Sequence, residues 1–141
     1  MGYSVLIGRI LFASIFVLAA RGHFSSQTIA FAAAQGVPLA SIVVPFSGLM
    51  AIIGGFSIAL GYKARFGAVL LVLFLIPVTF MMHNFWAATD PIVVQNQMAH
   101  FMKNVSLVGS ALFIFYFGSG PMSLDARNRK HAGEDRERAA A

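Results

Sequence analysis

Long apolar runs alternate with short polar breaks along this chain, and the runs have the length of membrane spans. Four stand out, at about residues 3–20, 39–61, 66–82 and 91–117. Each supplies the ~17–25 residues with which a helix crosses ~30 Å of hydrocarbon. In the fourth the apolar part begins only near Met98, so a helix opening at Pro91 outruns the bilayer. No run alternates like a barrel strand, and a helix satisfies its own backbone over that distance. The expected fold class is all-α. It is a transmembrane four-helix bundle forming one domain, 1–124, followed by a charged tail, 125–141, read as a solvated helix. The first run has an alternative reading as a signal peptide cleaved near "FAAAQG". Against it stand the lack of a leading basic cluster and the interruption at Arg9.

The breaks carry their own signals. "HFSSQTIAFAAAQGVP" is too polar to span and ends in Gly36 and Pro38, a helix stop. It reads as a short amphipathic helix on the membrane surface, with an ordinary loop as the alternative. "GYKAR" (61–65) reads as a tight basic turn, and Pro77 should kink the third span. "TDP" reads as a helix start, with Asp90 at the N-cap and Pro91 in the first position.

Composition narrows the function. The 141 residues are 58% hydrophobic and 11% charged, whereas soluble domains carry about a quarter charged residues. No Asp or Glu precedes Asp90. The net charge of +5 comes from scattered cations without a basic stripe, so no nucleic-acid partner is expected. The lack of cysteine excludes thiol–disulfide chemistry and thiolate metal sites. Met81, Met82, His83, Met98, His100 and Met102 are soft-metal ligand types, but their spacing fits no metal motif, and no metal site is assigned. Neither a phosphate-binding glycine loop nor a serine nucleophile elbow occurs.

Four spans put both termini and the 61–65 turn on one side. Arg9, Lys63, Arg65, Arg127, Arg129, Lys130, Arg136 and Arg138 gather there, against only Arg21 and Lys103 opposite. The positive-inside rule then places both termini in the cytoplasm of a bacterial inner membrane. Tyr3, Tyr62 and Tyr116 at one level and Trp86 at the other read as interfacial belts.

Packing in lipid calls for small residues, because burying Leu against lipid-like neighbours gains little. Ala51, Gly54, Gly55 and Ala59 offer such a seam on the second span, and Ser106, Gly109 and Ser110 offer another on the fourth. Arg9 lies inside the first span, where a lone charge is costly. An ion pair with Asp125, the first acid after the fourth span, would relieve it. Snorkelling to lipid phosphates is the alternative.

The polar residues of the outer side could converge. Gln97, His100 and Asn104 share a helix face by their spacing, with Lys103 beside them. His83 and Trp86 end the third span, Arg21 and His23 end the first, and Asp90 is the acid nearest to the outer cations. Together these nine would line an outer polar pocket. Interfacial capping and contact with water is the competing reading for each.

The chain also resembles the DoxX family of small four-helix membrane proteins. Gly8-Arg9 matches its helix-one opening, and Gly54, Gly55, Gly61 and Arg65 match its glycine pair and basic turn. His83, Phe85 and Trp86 match its helix-three end, and Gln97, Phe101, Lys103 and Asn104 its helix-four start. The chain departs from that pattern in having no Glu before Gly54 and no Lys ending helix one. The resemblance implies an accessory or assembly subunit of a quinone-linked membrane redox system, with no covalent cofactor and with lipids and other membrane subunits as partners. Two alternatives accompany it. One is a quinone-interacting oxidoreductase subunit in which His83 or His100 moves protons, quinone being the possible cofactor. The other is a carrier or binder of a small amphipathic solute through the outer polar pocket.

Overall fold

The structure, a computed structural model, describes residues 2–139. It contains α1 (Gly2–Ala20), α2 (Ser26–Ala34), α3 (Ala40–Leu60), α4 (Ala64–Met82), α5 (Pro91–Phe117) and α6 (Leu124–Ala139), with 3-10 turns at Arg21–Phe24 and Phe85–Ala87. No strand occurs among the described residues. The helices α1, α3, α4 and α5 are long and apolar enough to cross a membrane. Large apolar side chains such as Leu11, Leu18, Ile42 and Phe113 lie more than three-fifths exposed around the outside. Water would not tolerate such a girdle, and lipid does. The chain is a multi-pass membrane protein.

The spanning helices form an arc rather than a closed ring. α1 packs on α3, α3 on α4, and α4 on α5, while α1 and α5 are not packed on one another in this way. α3 is the middle of the arc because its small residues let neighbours come close on two sides. A Cβ on Gly54 would lie 2.8 Å from the Leu71 side chain and 3.0 Å from the Gly67 carbonyl of α4. A Cβ on Gly55 would lie 2.8 Å from Val17 and 3.4 Å from the Ala13 carbonyl of α1. Ala51 is fully buried beside them, and Ala59 is half-buried. The core follows this seam, running through Ala13, Phe16, Ile58, Ala68, Leu71 and Leu75.

The second small-residue ridge seats no helix. A Cβ on Gly109 would meet nothing within 4 Å. Ser106 and Ser110 return their hydroxyls to carbonyls of their own helix, Met102 and Ser106. The physical reason is the arc, since this stretch of α5 faces the groove left between α5 and α1.

Local signals explain the helix ends. The Asp90 carboxylate accepts from the Ile92 and Val93 N–H groups, with Pro91 next. α3 ends on Gly61 in the left-handed region, and Lys63 adopts φ 49° before α4. α4 begins at Ala64, so Arg65 belongs to the helix rather than to the turn. The helix continues through Pro77. Ser25 caps α2, accepting from Thr28 N. This helix does not lie free on a surface, because Ala32 is buried against Ala40 and Val44 of α3 with Met82 alongside. The tail is helical to Ala139, and its residues 140–141 lie outside the described residues.

The expected Arg9–Asp125 ion pair is corrected by the structure. Arg9 is buried and donates through Nη2 to the Met122 carbonyl at 2.7 Å, while its Nε and Nη1 have no partner. The Asp125 carboxylate instead accepts from the Lys63 N–H at 3.0 and 3.1 Å and from the Ser119 hydroxyl. The cause is the left-handed Lys63, whose exposed N–H takes the carboxylate first. Gly61 leaves room for the guanidinium, since any Cβ there would collide with Arg9 Nη1. The two charges interact through space without touching. Arg65 adds a tie to the Tyr116 carbonyl at the end of α5. The only ion pairs among the described residues are Lys130–Glu134 and His131–Glu134 within α6.

Two expectations follow. Gly54→Val forces α3 from α4 and should destabilise the protein by about 1–3 kcal/mol. Gly109→Ala should instead be neutral or stabilise by about 0.5–1 kcal/mol. Thermal unfolding in detergent distinguishes the two sites. Burial raises the Asp125 pKa, but the Ser119 and Lys63 hydrogen bonds and Arg129 outweigh it and hold the group below its ordinary 3.8. Its contribution is therefore present above pH 3.8 and lost as pH falls through the lower folded value. Asp125→Asn should lower stability by about 1–2 kcal/mol at pH 7, and the gap to wild type should close only below pH 3.8.

Candidate functional site

A cavity of about 460 Å³ opens at the end of the arc away from the termini. Its walls come from α1, α2, α3, α4 and α5, and most of them are apolar, including Phe16, Phe31, Met50, Phe74 and Met81. The expected outer pocket is thus corrected in character: it is an apolar chamber with a few polar groups, not a polar bowl. The reason is geometric. The end of α4 and α5 bring their polar groups to one rim, while α3 and α2 contribute apolar faces below it.

Of the nine expected pocket residues, four line this cavity: His23, His83, Lys103 and Asn104. Gln97 and His100 stand behind them. The His83 Nδ1 lies 2.8 Å from Gln97 Oε1, and the His83 and His100 rings stack with centroids 5.1 Å apart. Lys103 Nζ is 3.4 Å from His100 Nδ1. The shared face of α5 read from its spacing therefore meets the end of α4, where the helix stops and frees His83.

The other three lie outside the cavity lining. Trp86 packs with Phe80, Phe85 and Phe101 in an aromatic cluster between α4 and α5. Asp90 is occupied as the α5 cap. Arg21 is exposed in the 3-10 turn after α1. No carboxylate pairs with Arg21 or Lys103 among the described residues.

Depth distinguishes the polar groups. α4 has 19 residues, ~28 Å at ~1.5 Å each, which matches a hydrocarbon core. The His83–His100 stack marks its end. Lys103 and Asn104 are about one turn deeper. Lys103 stands 14 positions before Phe117, ~21 Å along the helix, well inside the span. Asn104 is only 5% exposed.

Sequence reasoning missed Gly48. A Cβ there would come within 2.7 Å of the His23 Cβ and 3.2 Å of the Phe24 ring. Its bare backbone thus seats the turn after α1 and aims His23 into the chamber. The His23 ring lies 5.6 Å from Phe74, and its Nδ1 is buried without a partner. A glycine seven positions before Gly55, on the same helix face, was the available signal.

The sequence model of the SURF4 family matches residues 3–131. The chain is 30% identical over 125 residues to inner membrane protein YphA of Escherichia coli, covering 87% of this chain and 89% of that protein. It is 28% identical over 89 residues to ER-derived vesicles protein ERV29 of Saccharomyces cerevisiae, covering 60% of this chain but 27% of that one. No solved structure matches the chain. These matches overturn the resemblance to the DoxX family. The motifs that carried it, a Gly-Gly pair, a basic turn and a few aromatic residues, are what any short helical membrane bundle needs. The redox-subunit and quinone expectations rested on that resemblance and fall with it. The chain belongs to the SURF4 family.

Proposed function

We propose that this protein is a non-enzymatic binding protein of a bacterial inner membrane, with both termini in the cytoplasm, that takes one apolar chain from the bilayer into its cavity. The observation that carries the reading is the chamber itself, about 460 Å³ and walled by aromatic, Met and aliphatic side chains. Sites that bind small ligands span ~300–1,000 Å³ and are mostly apolar with a few placed polar groups. Among the described residues its wall includes no nucleophile held by a base: the Ser47 hydroxyl donates to Val44 O, and the Thr28 hydroxyl oxygen accepts from the Ser25 hydroxyl. The E. coli relative, named as an inner membrane protein, supports the compartment. The excess of Lys and Arg on the terminal side supports the orientation.

The test is photolabelling in lipid nanodiscs with dodecanol carrying a terminal diazirine, followed by mass spectrometry. Labels should concentrate on Phe31, Met50, Phe74 and Met81. Ser47→Trp, which fills the chamber from α3, should reduce them at least about fivefold, since removing room for even part of a chain costs on the order of 1 kcal/mol or more. Equal labelling of the chamber and of outward residues such as Phe113 would refute the reading.

A further inference from the structure

We infer that the occupant's polar end is anionic, the carboxylate of a single-chain fatty acid, and that Lys103 recognises it. This rests on the reading of the chamber as a chain-binding site.

Charge is the first argument. Lys103 is the only formally charged side chain on the cavity wall. No acid among the described residues forms an ion pair with it. Asp90 is occupied as the α5 cap, and the remaining acids, Asp125, Glu134, Asp135 and Glu137, follow α5 at the opposite end of the molecule. The two rings nearest to it, His83 and His100, carry no negative charge either.

Depth is the second. A cation about one turn inside the hydrocarbon boundary is costly unless something pairs with it. An anion brought into the chamber, whose wall includes Lys103, would relieve that cost.

The neutral donors are the third. Asn104 follows Lys103, lines the same wall and is nine-tenths buried, with an amide N–H to offer. The buried His23 Nδ1 on that wall lacks a hydrogen-bond partner among the described residues. A carboxylate has two oxygens and about four acceptor sites. One ammonium and one or two neutral N–H groups satisfy it without an arginine fork. The remaining wall is apolar and of a size for one chain, so the second chain of a phospholipid would stay outside.

The experiment compares three probes of equal length in phosphatidylcholine nanodiscs, each competing against the diazirine dodecanol: dodecanoate, dodecanol and dodecyltrimethylammonium. Dodecanoate should compete at least about tenfold better than dodecanol, a difference of ~1.4 kcal/mol, and the ammonium probe should be the weakest. Lys103→Gln should abolish the tenfold preference yet still bind dodecanol, which shows that the variant folds. Lys103→Arg should keep most of the preference. Equal competition by all three probes would overturn the anionic head while leaving the chain-binding reading intact. Failure of every probe to compete would overturn both. If nanodiscs containing phosphatidylglycerol abolish dodecanoate competition, the head bound is a lipid phosphate, and the fatty-carboxylate proposal is overturned.

Discussion

Lipid is the constraint from which the rest of this structure follows. An apolar side chain gains almost nothing by leaving lipid for another apolar side chain, so the distance of approach between helices decides which of them adhere. Only α3 carries glycines on two adjacent faces, Gly54 toward α4 and Gly55 toward α1. The helices that touch it are held closely, and the others are held through them. That is why the spans form an arc. Between α5 and α1 the backbones do not meet, and a groove bordered by Gly8, Phe12, Ser110 and Phe113 remains. In water such a groove would close by hydrophobic collapse. In lipid nothing drives it shut.

The two ends of the arc are built differently. At the end bearing the termini, polar groups are used against backbone: Arg9 on Met122, Arg65 on Tyr116, and Asp125 on Lys63. Each of these joins segments far apart in sequence, so they fix the loop after α5 against the α3–α4 turn. At the other end the polar side chains mostly address one another, as in His83 with Gln97 and His100 with Lys103. Gly48 there admits a 3-10 turn where Gly54 and Gly55 admit whole helices. The same device that closes the middle of the arc therefore opens its far end, by spending the close approach on His23 instead of on a helix.

Much of the fold was legible from hydrophobic run length, because a span is fixed by bilayer thickness more than by any detail of packing. The expected 39–61 and 66–82 became 40–60 and 64–82, and the Asp90 cap falls where its residues place it. Contacts between elements were less legible. The Arg9–Asp125 pair was inferred from charge alone, and charge cannot report that Lys63 adopts a left-handed backbone and claims the carboxylate. Ser106 and Ser110 resemble a packing ridge in sequence, but whether a ridge is used depends on what stands opposite. For the site, the periodicity of α5 placed Gln97, His100 and Asn104 on one face, while the apolar walls that make the chamber come from four other helices and have no local signature. Family membership was misjudged from motifs that helical packing in lipid itself demands.

The distribution of charge ties the topology to the site. Cations gather at the end of the bundle that bears the termini, and the chain places just two at the other end, Arg21 and Lys103. Arg21 is in an exposed turn and can reach water or phosphate at little cost. Lys103 lies deeper, with its Cα inside the span, its ammonium 3.4 Å from His100 Nδ1 and a place in the chamber wall. A glutamine would have served as well for interfacial solubility, and Gln97 sits two turns away on the same helix. The imidazoles, moreover, are arranged to support the lysine rather than to replace it: Gln97 orients His83, His83 stacks on His100, and His100 meets Lys103. A chain of three polar side chains ending on one uncompensated cation, at the mouth of an apolar chamber, has the form of a site that waits for its negative charge to arrive with the ligand.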